Sequence, residues 1–363
     1  MDKDSIIYYV KNTVDKVLKE RFSVFMKEAS SIHDVLKDFV EAPADYTLRG
    51  GKRLRAILIL IGYWSRKWRL DIEPVKDVMA SIEFLQSYLL VHDDIMDRDE
   101  LRRGGPTLHI WFRDKCVNEK LVGDCIHYGI SQAILAGDYL EALAIGSIAS
   151  APLPPERIRL LIERYSKGLR TVAYGQYIDV LLSYMPLRMA TEEHVLKVHE
   201  LKTASYTVEL PLHLGAIAAG YIGKDFLDEL TRFAKPAGIG FQLRDDIIGL
   251  YGDPSITGKP MGSDVREKKK TLLVIKAFKE ANPSDKKFLE EIYDQRRPEE
   301  ITEKDIRRVQ EIVKDTGSLD YSEKMIKDME ERARSILAES KYLCSEAKEV
   351  LEKLLSKLLY RVK

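Results

Sequence analysis

The sequence predicts an all-α protein. Apolar residues recur at three- and four-residue steps through most of the chain, as between Val10 and Leu18, and this spacing places them on one face of a helix. Two-residue alternation bounded by turn residues, the pattern of a half-buried strand, is hard to find. All 13 prolines lie before Glu299, so the last part of the chain lacks the residue that interrupts helices most strongly. We therefore expect helices throughout and no strand.

The helical segments are separated by short breaks. One stripe occupies the N-terminus, another runs from Ile158 to Tyr165, and a third runs from Leu343 to Leu358. No break is long enough for an interdomain linker, and no repeat of the lengths typical of solenoids is visible. We therefore predict one helical domain over residues 1–363. The predicted breaks are Glu41–Asp45, Asp71–Pro74, Ala151–Pro155, Gly252–Ser263 and Asn282–Pro283.

The charge balance argues against several classes of protein. Lys and Arg number 58, as do Asp and Glu, so the net charge of zero gives no overall attraction for nucleic acid or anionic lipid. The longest strongly apolar run, Ala56–Trp64, is well short of the ~20 residues of a membrane span. The N-terminus is charged and lacks the apolar core of a signal peptide. We predict no nucleic-acid partner, no membrane span and a cytoplasmic location.

The cysteines give little structural information. Cys116, Cys125 and Cys344 have no metal-ligand spacing. Their odd number argues against a disulfide scaffold, which favours a reducing compartment.

The first candidate site is an acidic cluster in LLVHDDIMDRDELRRGGPTLH. Asp93 and Asp97 are four residues apart, so a helix places them on one face about one turn apart. Two carboxylates this close repel unless a cation lies between them. Arg102 and Arg103 follow, just before the Gly104–Pro106 break. Because Mg²⁺ prefers oxygen ligands and bridges phosphates, the cluster indicates a magnesium-diphosphate site, with a solvated helix face as the alternative.

A second acidic cluster also follows an apolar helix, in FQLRDDIIGLYGDPSITGKPMGSDVREKKK. Again a turn and cations come after the acids, so we expect the two clusters to share divalent ions and a polyphosphate. The acids are Asp245, Asp246, Asp253 and Asp264, and the cations are Lys259 and Lys268 to Lys270.

A third element, LRGGKRLRAILIL, is basic. Gly50 and Gly51 permit a close backbone approach before a helix, whose first N–H groups favour anions. Lys52 and Arg55 are three residues apart and share a helix face. Beside two metal-type clusters, this element indicates a second diphosphate site without metal.

The motifs GGKRLR, DDIMD with RRGGPT, and FQLRDD with GKP and SD together resemble those of the trans-isoprenyl diphosphate synthases, in family order from Arg49 to Leu273. The resemblance implies a bundle of long helices around a deep central cavity, usually in a homodimer. It also implies the condensation of isopentenyl diphosphate head-to-tail with an allylic diphosphate. The implied cofactor is Mg²⁺, about three ions per site held by oxygen ligands.

The resemblance implies roles for individual residues. Asp93, Asp97 and Asp245 resemble the metal ligands, and Asp94 and Asp246 resemble supporting members of their motifs. Arg102, Lys202 and Lys259 resemble ligands of the allylic diphosphate. The residues that resemble the isopentenyl diphosphate site are Gly51, Lys52, Arg55, Gln86 and Arg103, those near the reacting carbons are Lys202, Thr203 and Gln242, and Lys269 matches a further substrate-binding lysine.

The second motif departs from the family pattern. The family usually has DDxxD, but Gly249 replaces the last aspartate here and supplies no ligand. Asp253 lies a further turn on, and we do not expect it to substitute.

Other residues have competing interpretations. His92 precedes the first motif, where a histidine is more often a packed neighbour than a ligand of Mg²⁺. Tyr174–Gln176 and Asp179 resemble a helix that lines the pocket, with a plain core helix as the alternative. Arg361 and Lys363 resemble a basic tail of some members, with a solvated end as the alternative.

Two rival functions remain open at this point. A class I terpene cyclase shares the first acidic motif but has no use for the GGKRLR site. A non-catalytic partner subunit tends to lose the acidic and basic ligands, and this chain retains almost all of them.

The residues upstream of Asp93 predict product length, because in this family the growing tail runs down that helix. Tyr88, Leu85 and Ile82 recur on nearly one face and would form the floor. An aromatic residue five places before Asp93 resembles geranylgeranyl diphosphate synthases of archaeal type. We therefore predict a mainly twenty-carbon product, with fifteen or twenty-five carbons as the alternatives and a plain core role as the other interpretation of Tyr88.

Overall fold

The computed structural model describes residues 3–68, 71–252 and 262–360. Most of these residues are helical, which confirms the all-α prediction. None of the described helices combines the length and hydropathy needed to cross a membrane. The helices are α1 (Lys3–Ile32), α2 (Leu36–Leu48), α3 (Leu54–Trp64), α4 (Lys76–Asp97), α5 (Leu108–Asn118), α6 (Cys125–Ala149), α7 (Pro155–Tyr184), α8 (Glu192–Val198), α9 (Leu210–Ala218), α10 (Lys224–Tyr251), α11 (Ser263–Arg266), α12 (Leu272–Glu280), α13 (Pro283–Glu290), α14 (Glu303–Asp315), α15 (Ser318–Glu339) and α16 (Ser345–Leu359), with π-helical segments at His199–Glu209 and Glu291–Gln295 and 3₁₀ turns at Glu73–Val75, Leu187–Met189 and Pro298–Glu300.

The chain divides into two compact units. The first comprises residues 1–164 and 211–221, and the second comprises residues 165–210 and 222–363.

In the first unit, α4 is the central helix. It packs against α1, α2, α3, α5 and α6. Every residue from Asp77 to Ser87 is buried, so this part of the helix is enclosed on all sides. From Tyr88 onward the helix is partly exposed, and the first acidic motif lies at this end.

In the second unit, α10 is the central helix. It packs against the π-helical segment His199–Glu209 and against α11, α12, α15 and α16. Its buried face includes Phe233, Ala237 and Leu243, and the second acidic motif follows near its C-terminal end. The prediction that the two motifs occupy comparable ends of two helices is therefore confirmed.

Local sequence signals explain several helix starts. Asp124 caps α6 by accepting a hydrogen bond of 2.9 Å from the N–H of Ile126. Thr191 and Thr302 form capping boxes at α8 and α14. Asn282 caps α13, with Pro283 at the first helical position. Three predicted breaks fall between helices as expected, and most of the Gly252–Ser263 break lies outside the described residues.

Two predictions about the backbone were wrong. The expected break at Glu41–Asp45 is absent, because α2 continues through it with Pro43 inside the helix. Val40, Pro43 and Ala44 are buried there, and this packing outweighs the hydrogen bond that proline cannot make. A short antiparallel hairpin also pairs Leu101–Arg102 with Gly105–Pro106, where we expected no strand.

The structure contains one disulfide bond that the sequence analysis did not predict. Cys116 in α5 and Cys125 at the start of α6 are bonded, with their Cα atoms 5.5 Å apart. Cys344 takes no part in this bond. A disulfide forms where two cysteines lie close together in space, and an odd number of cysteines does not prevent this. The cysteines therefore no longer support a reducing compartment.

Candidate active site

The last turn of α4 presents two aspartates outward and one inward. Asp93 and Asp97 are partly exposed on one face, whereas Asp94 has no exposed surface. The C-terminal end of a helix carries a partial negative charge, and the last turn of α4 contains no basic residue. The surroundings of the outward carboxylates therefore favour the binding of a cation.

Asp94 is the centre of a buried hydrogen-bond network. Its Oδ2 accepts a bond of 2.6 Å from the Tyr46 hydroxyl, and its Oδ1 accepts one of 2.8 Å from Nε of Arg102. Arg102 also donates to Asp99 over 2.8 Å. Burial raises the pKa of Asp94 to about 6, against the opposing effects of Arg102 and Tyr46. The network ties Arg102, a predicted diphosphate ligand, to the first motif.

The basic residues of the GGKRLR segment differ in their exposure to solvent. Lys52 is exposed and Arg55 is partly exposed, as expected for ligands of an anion. Arg53 is instead buried and donates to Asp15 (2.8 Å), Glu83 (3.0 Å) and the carbonyl of Thr47 (3.0 Å). Arg53 therefore fixes the loop to three helices. We did not single it out, and helical periodicity does not apply to it, because Arg53 precedes α3 and has a left-handed φ of 49°.

Hydrogen bonds from two arginines join the GGKRLR loop to the Leu101–Pro106 hairpin. Nη1 of Arg103 donates to the carbonyl of Gly50 over 3.1 Å, and Nη1 of Arg49 donates to the carbonyl of Pro106 over 2.6 Å. Gly50 and Gly51 have φ angles of 74° and 121°, which side chains disfavour. A Cβ atom on Gly105 would lie 2.6 Å from Cζ of Arg49. These glycines therefore permit the contact, and two predicted diphosphate-binding motifs come together.

The cations in this region are crowded. Burial, and after it the guanidinium groups of Arg53 and Arg55, lower the pKa of Arg103. Such crowding is unfavourable for the cations alone and favours binding of an anion.

In the second unit, α7 approaches the π-helical segment at Lys202. Nζ of Lys202 lies 2.6 Å from Oδ2 of Asp179. A Cβ atom on Gly175 would lie 2.8 Å from the Cα of Lys202, so glycine is needed for this approach. The segment that resembled a pocket-lining helix therefore contacts a predicted catalytic residue.

A second buried network joins the π-helical segment to α10. Thr203 donates to Oε1 of Gln242 over 2.8 Å, and Nε2 of Gln242 donates to Oδ1 of Asp246 over 3.0 Å. Nε2 of His199 lies 3.1 Å from the other carboxylate oxygen of Asp246. Asp246 is only 4 % exposed, whereas Asp245 is partly exposed. The predicted residues Thr203 and Gln242 are thus in contact, whereas no sequence pattern marked His199.

The lysines after the second motif differ in environment. Nζ of Lys269 lies 3.7 Å from Glu267. Lys270 is buried and donates to the carbonyl of Ser183 over 3.1 Å, and burial lowers its pKa to about 8. The predicted residues Asp253, Lys259, Arg361 and Lys363 lie outside the described residues.

The predicted chain-length residues lie along α4. Ile82 and Leu85 are fully buried, and Gln86 is nearly so. Tyr88 is partly exposed and meets His92 edge-on, with ring centroids 4.8 Å apart. Burial, and after it the carboxylates of Glu141 and Asp138 on α6, raise the pKa of Tyr88. Nε2 of His92 lies 3.3 Å from the carbonyl of Ile134, in agreement with a packed role for this histidine.

The outward aspartates suit Mg²⁺ by their chemistry. They supply the oxygen donors that this ion prefers, at a helix end that favours a cation. Within the described ranges, no group of three or more His, Cys, Asp or Glu side chains is placed to hold a metal ion by itself. Mg²⁺ usually takes one or two carboxylates from a protein and completes its shell with substrate phosphates and water.

Comparisons with known proteins agree with these motifs. The family model described as polyprenyl synthetase matches residues 37–313. The geranylfarnesyl diphosphate synthase of Aeropyrum pernix is 37% identical over 318 residues, 86% of this chain and 91% of that protein. The geranylgeranyl diphosphate synthase of Saccharolobus solfataricus is 32% identical over 344 residues, 93% of each chain.

A solved structure is similar over nearly the whole chain. It is the geranylgeranyl pyrophosphate synthase of Corynebacterium glutamicum, complexed with isoprenyl diphosphate and magnesium. The TM-score is 0.87 at 30% identity, and the match covers 97% of this chain and 99% of that one.

Proposed function

Because the chain belongs to the polyprenyl synthetase family and is therefore a prenyltransferase, we propose that it condenses isopentenyl diphosphate head-to-tail with an allylic diphosphate. The observation that carries this proposal is the joining of the GGKRLR loop to the RRGGPT hairpin. A terpene cyclase has no use for a basic loop of this kind. The contact gives that loop a defined place beside the first acidic motif.

We assign the two diphosphates to different sets of residues. The isopentenyl diphosphate site uses the exposed cations of the joined loops, where crowding favours an anion. The allylic site uses the outward aspartates with Mg²⁺ and the arginine tied to the first motif. The isopentenyl set is Gly51, Lys52, Arg55, Gln86 and Arg103, and the allylic set is Asp93, Asp97, Asp245, Arg102, Lys202 and Lys259, with Lys269 as a further substrate ligand.

The chemistry follows from the charges of these residues. Asp93, Asp97 and Asp245 would hold Mg²⁺, which would stabilise the negative charge of the departing diphosphate. Main-chain and side-chain dipoles of Lys202, Thr203 and Gln242 stabilise the allylic cation that remains. The double bond of isopentenyl diphosphate attacks this cation, and the proton that is lost passes to the departing diphosphate. Apolar walls keep water from the cation.

We propose that the main product has twenty carbons. The geranylgeranyl synthases among the relatives and Tyr88, five places before Asp93, support this length. The A. pernix relative is named for a product one isoprene unit longer, so twenty-five carbons is the second candidate.

We also propose a homodimer and a single domain. The α5–α6 region exposes several large apolar side chains, which favour burial against a second copy of the chain. The family match runs through residues of both compact units, which supports one domain. The cytoplasmic location stays a prediction. The exposed side chains of the α5–α6 face are Val117, Leu121, Val122, Ile126, Ile134 and Leu135.

One assay separates the proposed function from its rivals. The purified protein is incubated with Mg²⁺, isopentenyl diphosphate and a labelled allylic diphosphate, and the products are resolved by chromatography. We expect a linear twenty-carbon diphosphate, and Asp93→Asn should reduce turnover by orders of magnitude with an unchanged circular dichroism spectrum. A cyclic hydrocarbon would instead identify a terpene cyclase, and no product would support a non-catalytic subunit.

A further inference from the structure

His199 and Asp246 form a buried pair that the proposed chemistry does not use. His199 is 3 % exposed and Asp246 is 4 % exposed. Nε2 of His199 lies 3.1 Å from Oδ2 of Asp246, so the first residue of the π-helical segment contacts α10. A carboxylate that is removed from water is costly unless a polar partner compensates for the lost hydration. His199 is such a partner for this oxygen of Asp246.

The other oxygen of Asp246 determines the orientation of the Gln242 side chain. Oδ1 of Asp246 accepts a hydrogen bond of 3.0 Å from Nε2 of Gln242, and Oε1 of Gln242 accepts one of 2.8 Å from Thr203. A carboxylate can only accept hydrogen bonds, so it binds the N–H₂ end of the amide and turns the carbonyl end toward Thr203. If Asp246 turned away, the two ends of the amide could exchange places.

The spacing of these residues places them opposite each other. Gln242 and Asp246 are one turn apart on α10. His199 and Thr203 have the same four-residue spacing on the π-helical segment, which therefore contacts α10 at both ends of the network. One turn earlier on α10, a Cβ atom on Gly238 would lie 2.5 Å from a side-chain atom of that segment, so glycine permits this close approach. The network is thus held between two closely packed elements.

We propose that His199 is a positioning residue for the reaction. It holds the Asp246 carboxylate, and this carboxylate keeps the carbonyl end of Gln242 toward Thr203. The Thr203 hydroxyl then donates its hydrogen to Gln242, which leaves oxygen lone pairs on both side chains for the allylic cation. A reversed amide would place N–H₂ donors there, and their partial positive charge disfavours a cation. The inference rests on the proposed function and adds to it a residue that acts through Asp246.

A double-mutant cycle tests this role. The variants are His199→Leu, which removes the ring nitrogens, Gln242→Met, which removes the amide, and their combination. His199→Leu should lower kcat by about tenfold or more and leave the KM of both substrates nearly unchanged, because other residues bind the diphosphates. On the Gln242→Met background, His199→Leu should have no further effect on kcat. A purely structural role would instead lower kcat by the same factor on both backgrounds.

Further variants separate positioning from loss of stability. His199→Gln keeps an amide nitrogen near the position of Nε2 and should restore most of the kcat of the parent. Ser205→Ala is the matched control, because it removes a buried hydrogen bond to the carbonyl of Leu201 in the same segment and should leave kcat unchanged. If the leucine variant fails to fold, His199→Asn, whose shorter amide does not reach Asp246, takes its place in the comparison.

Crystal structures of the variants give a readout that needs no turnover. The hydrogen bond between Asp246 and Gln242 should be present in the parent and in His199→Gln and lost in His199→Leu. An intact bond in His199→Leu, an unchanged kcat, or an equal loss on both backgrounds would overturn the proposal. A parent protein that makes no prenyl product would contradict the proposed function, whereas the crystal structures would still decide whether His199 positions Gln242.

Discussion

Adjacent aspartates in the two motifs have opposite surroundings. Asp93 and Asp245 are partly exposed, whereas Asp94 and Asp246 are buried in hydrogen-bond networks. Neighbouring residues on a helix point about 100° apart, so a consecutive pair cannot face the same ligand. The DD pair therefore combines one carboxylate for the ion with one that holds the surrounding side chains.

The buried Lys270 predicts a pH dependence of stability. Its pKa is about 8 in the folded chain and that of an ordinary lysine in the unfolded chain. Between these values the unfolded chain binds more protons, so the free energy of unfolding should rise as the pH increases from 8 to 10.5. Lys270→Met should remove this rise, worth at most about 3 kcal/mol. Urea titrations of both proteins across this range measure the difference, and identical pH profiles would contradict the prediction.

Tyr88 predicts a change of product length. Tyr88→Ala should remove the floor beneath the growing tail and open the space above Leu85, giving chains of twenty-five carbons or more. Chromatography of the products measures their length, and Tyr8→Ala on an exposed part of α1 is the control. An active variant with an unchanged product would place the floor on another helix.

At the scale of elements, the disulfide joins α5 to α6 across a short connection. Closing a loop of this length restricts the unfolded chain and should stabilise the protein by about 2–3 kcal/mol. Cys116→Ser should therefore lower the melting temperature under non-reducing conditions. Cys344→Ser is the control and should change it little. If a reductant lowers the melting temperature of Cys116→Ser as much as that of the parent, the bond is not the source of the effect.

The helices were predictable because their apolar spacing is local information. The placement of Asp93 and Asp97 on one face of a helix followed from the same geometry. The prediction that Lys52 and Arg55 share a helix face was wrong, because α3 begins at Leu54 and Lys52 precedes it. Features that depend on tertiary packing were not predictable in this way. Pro43 stays inside α2 because its neighbours are buried, and the two bonded cysteines are neighbours only in space.

The candidate site could be predicted from the sequence only to the same extent. Tyr46, Arg49 and His199 act through contacts with residues far away in sequence, and no local pattern marks them. Asp264 is the clearest example. Its motif suggested a cation site, but only the structure shows its carboxylate beside Gly249.

At the scale of the whole molecule, the apolar α5–α6 face predicts association. Ile126 is 65% exposed on this face, and a charge there would have to be buried in a dimer. We expect the parent to elute as a dimer in size-exclusion chromatography with light scattering, and Ile126→Asp to shift it toward the monomer. Val24→Asp, at a residue 61% exposed on α1, is the matched control. A monomeric parent, or an equal shift in both variants, would contradict the proposed interface.

The hairpin that carries Arg102 and Arg103 serves both proposed diphosphate sites at once. Arg102 is hydrogen-bonded to the first motif and Arg103 to the GGKRLR loop, so one short turn connects the two proposed sites. A substrate that orders this turn also prepares it for the other substrate, which is positive cooperativity between unlike ligands. Binding free energies form a closed cycle. The factor by which bound isopentenyl diphosphate increases the affinity for the allylic diphosphate must therefore equal the factor by which the bound allylic diphosphate increases the affinity for isopentenyl diphosphate.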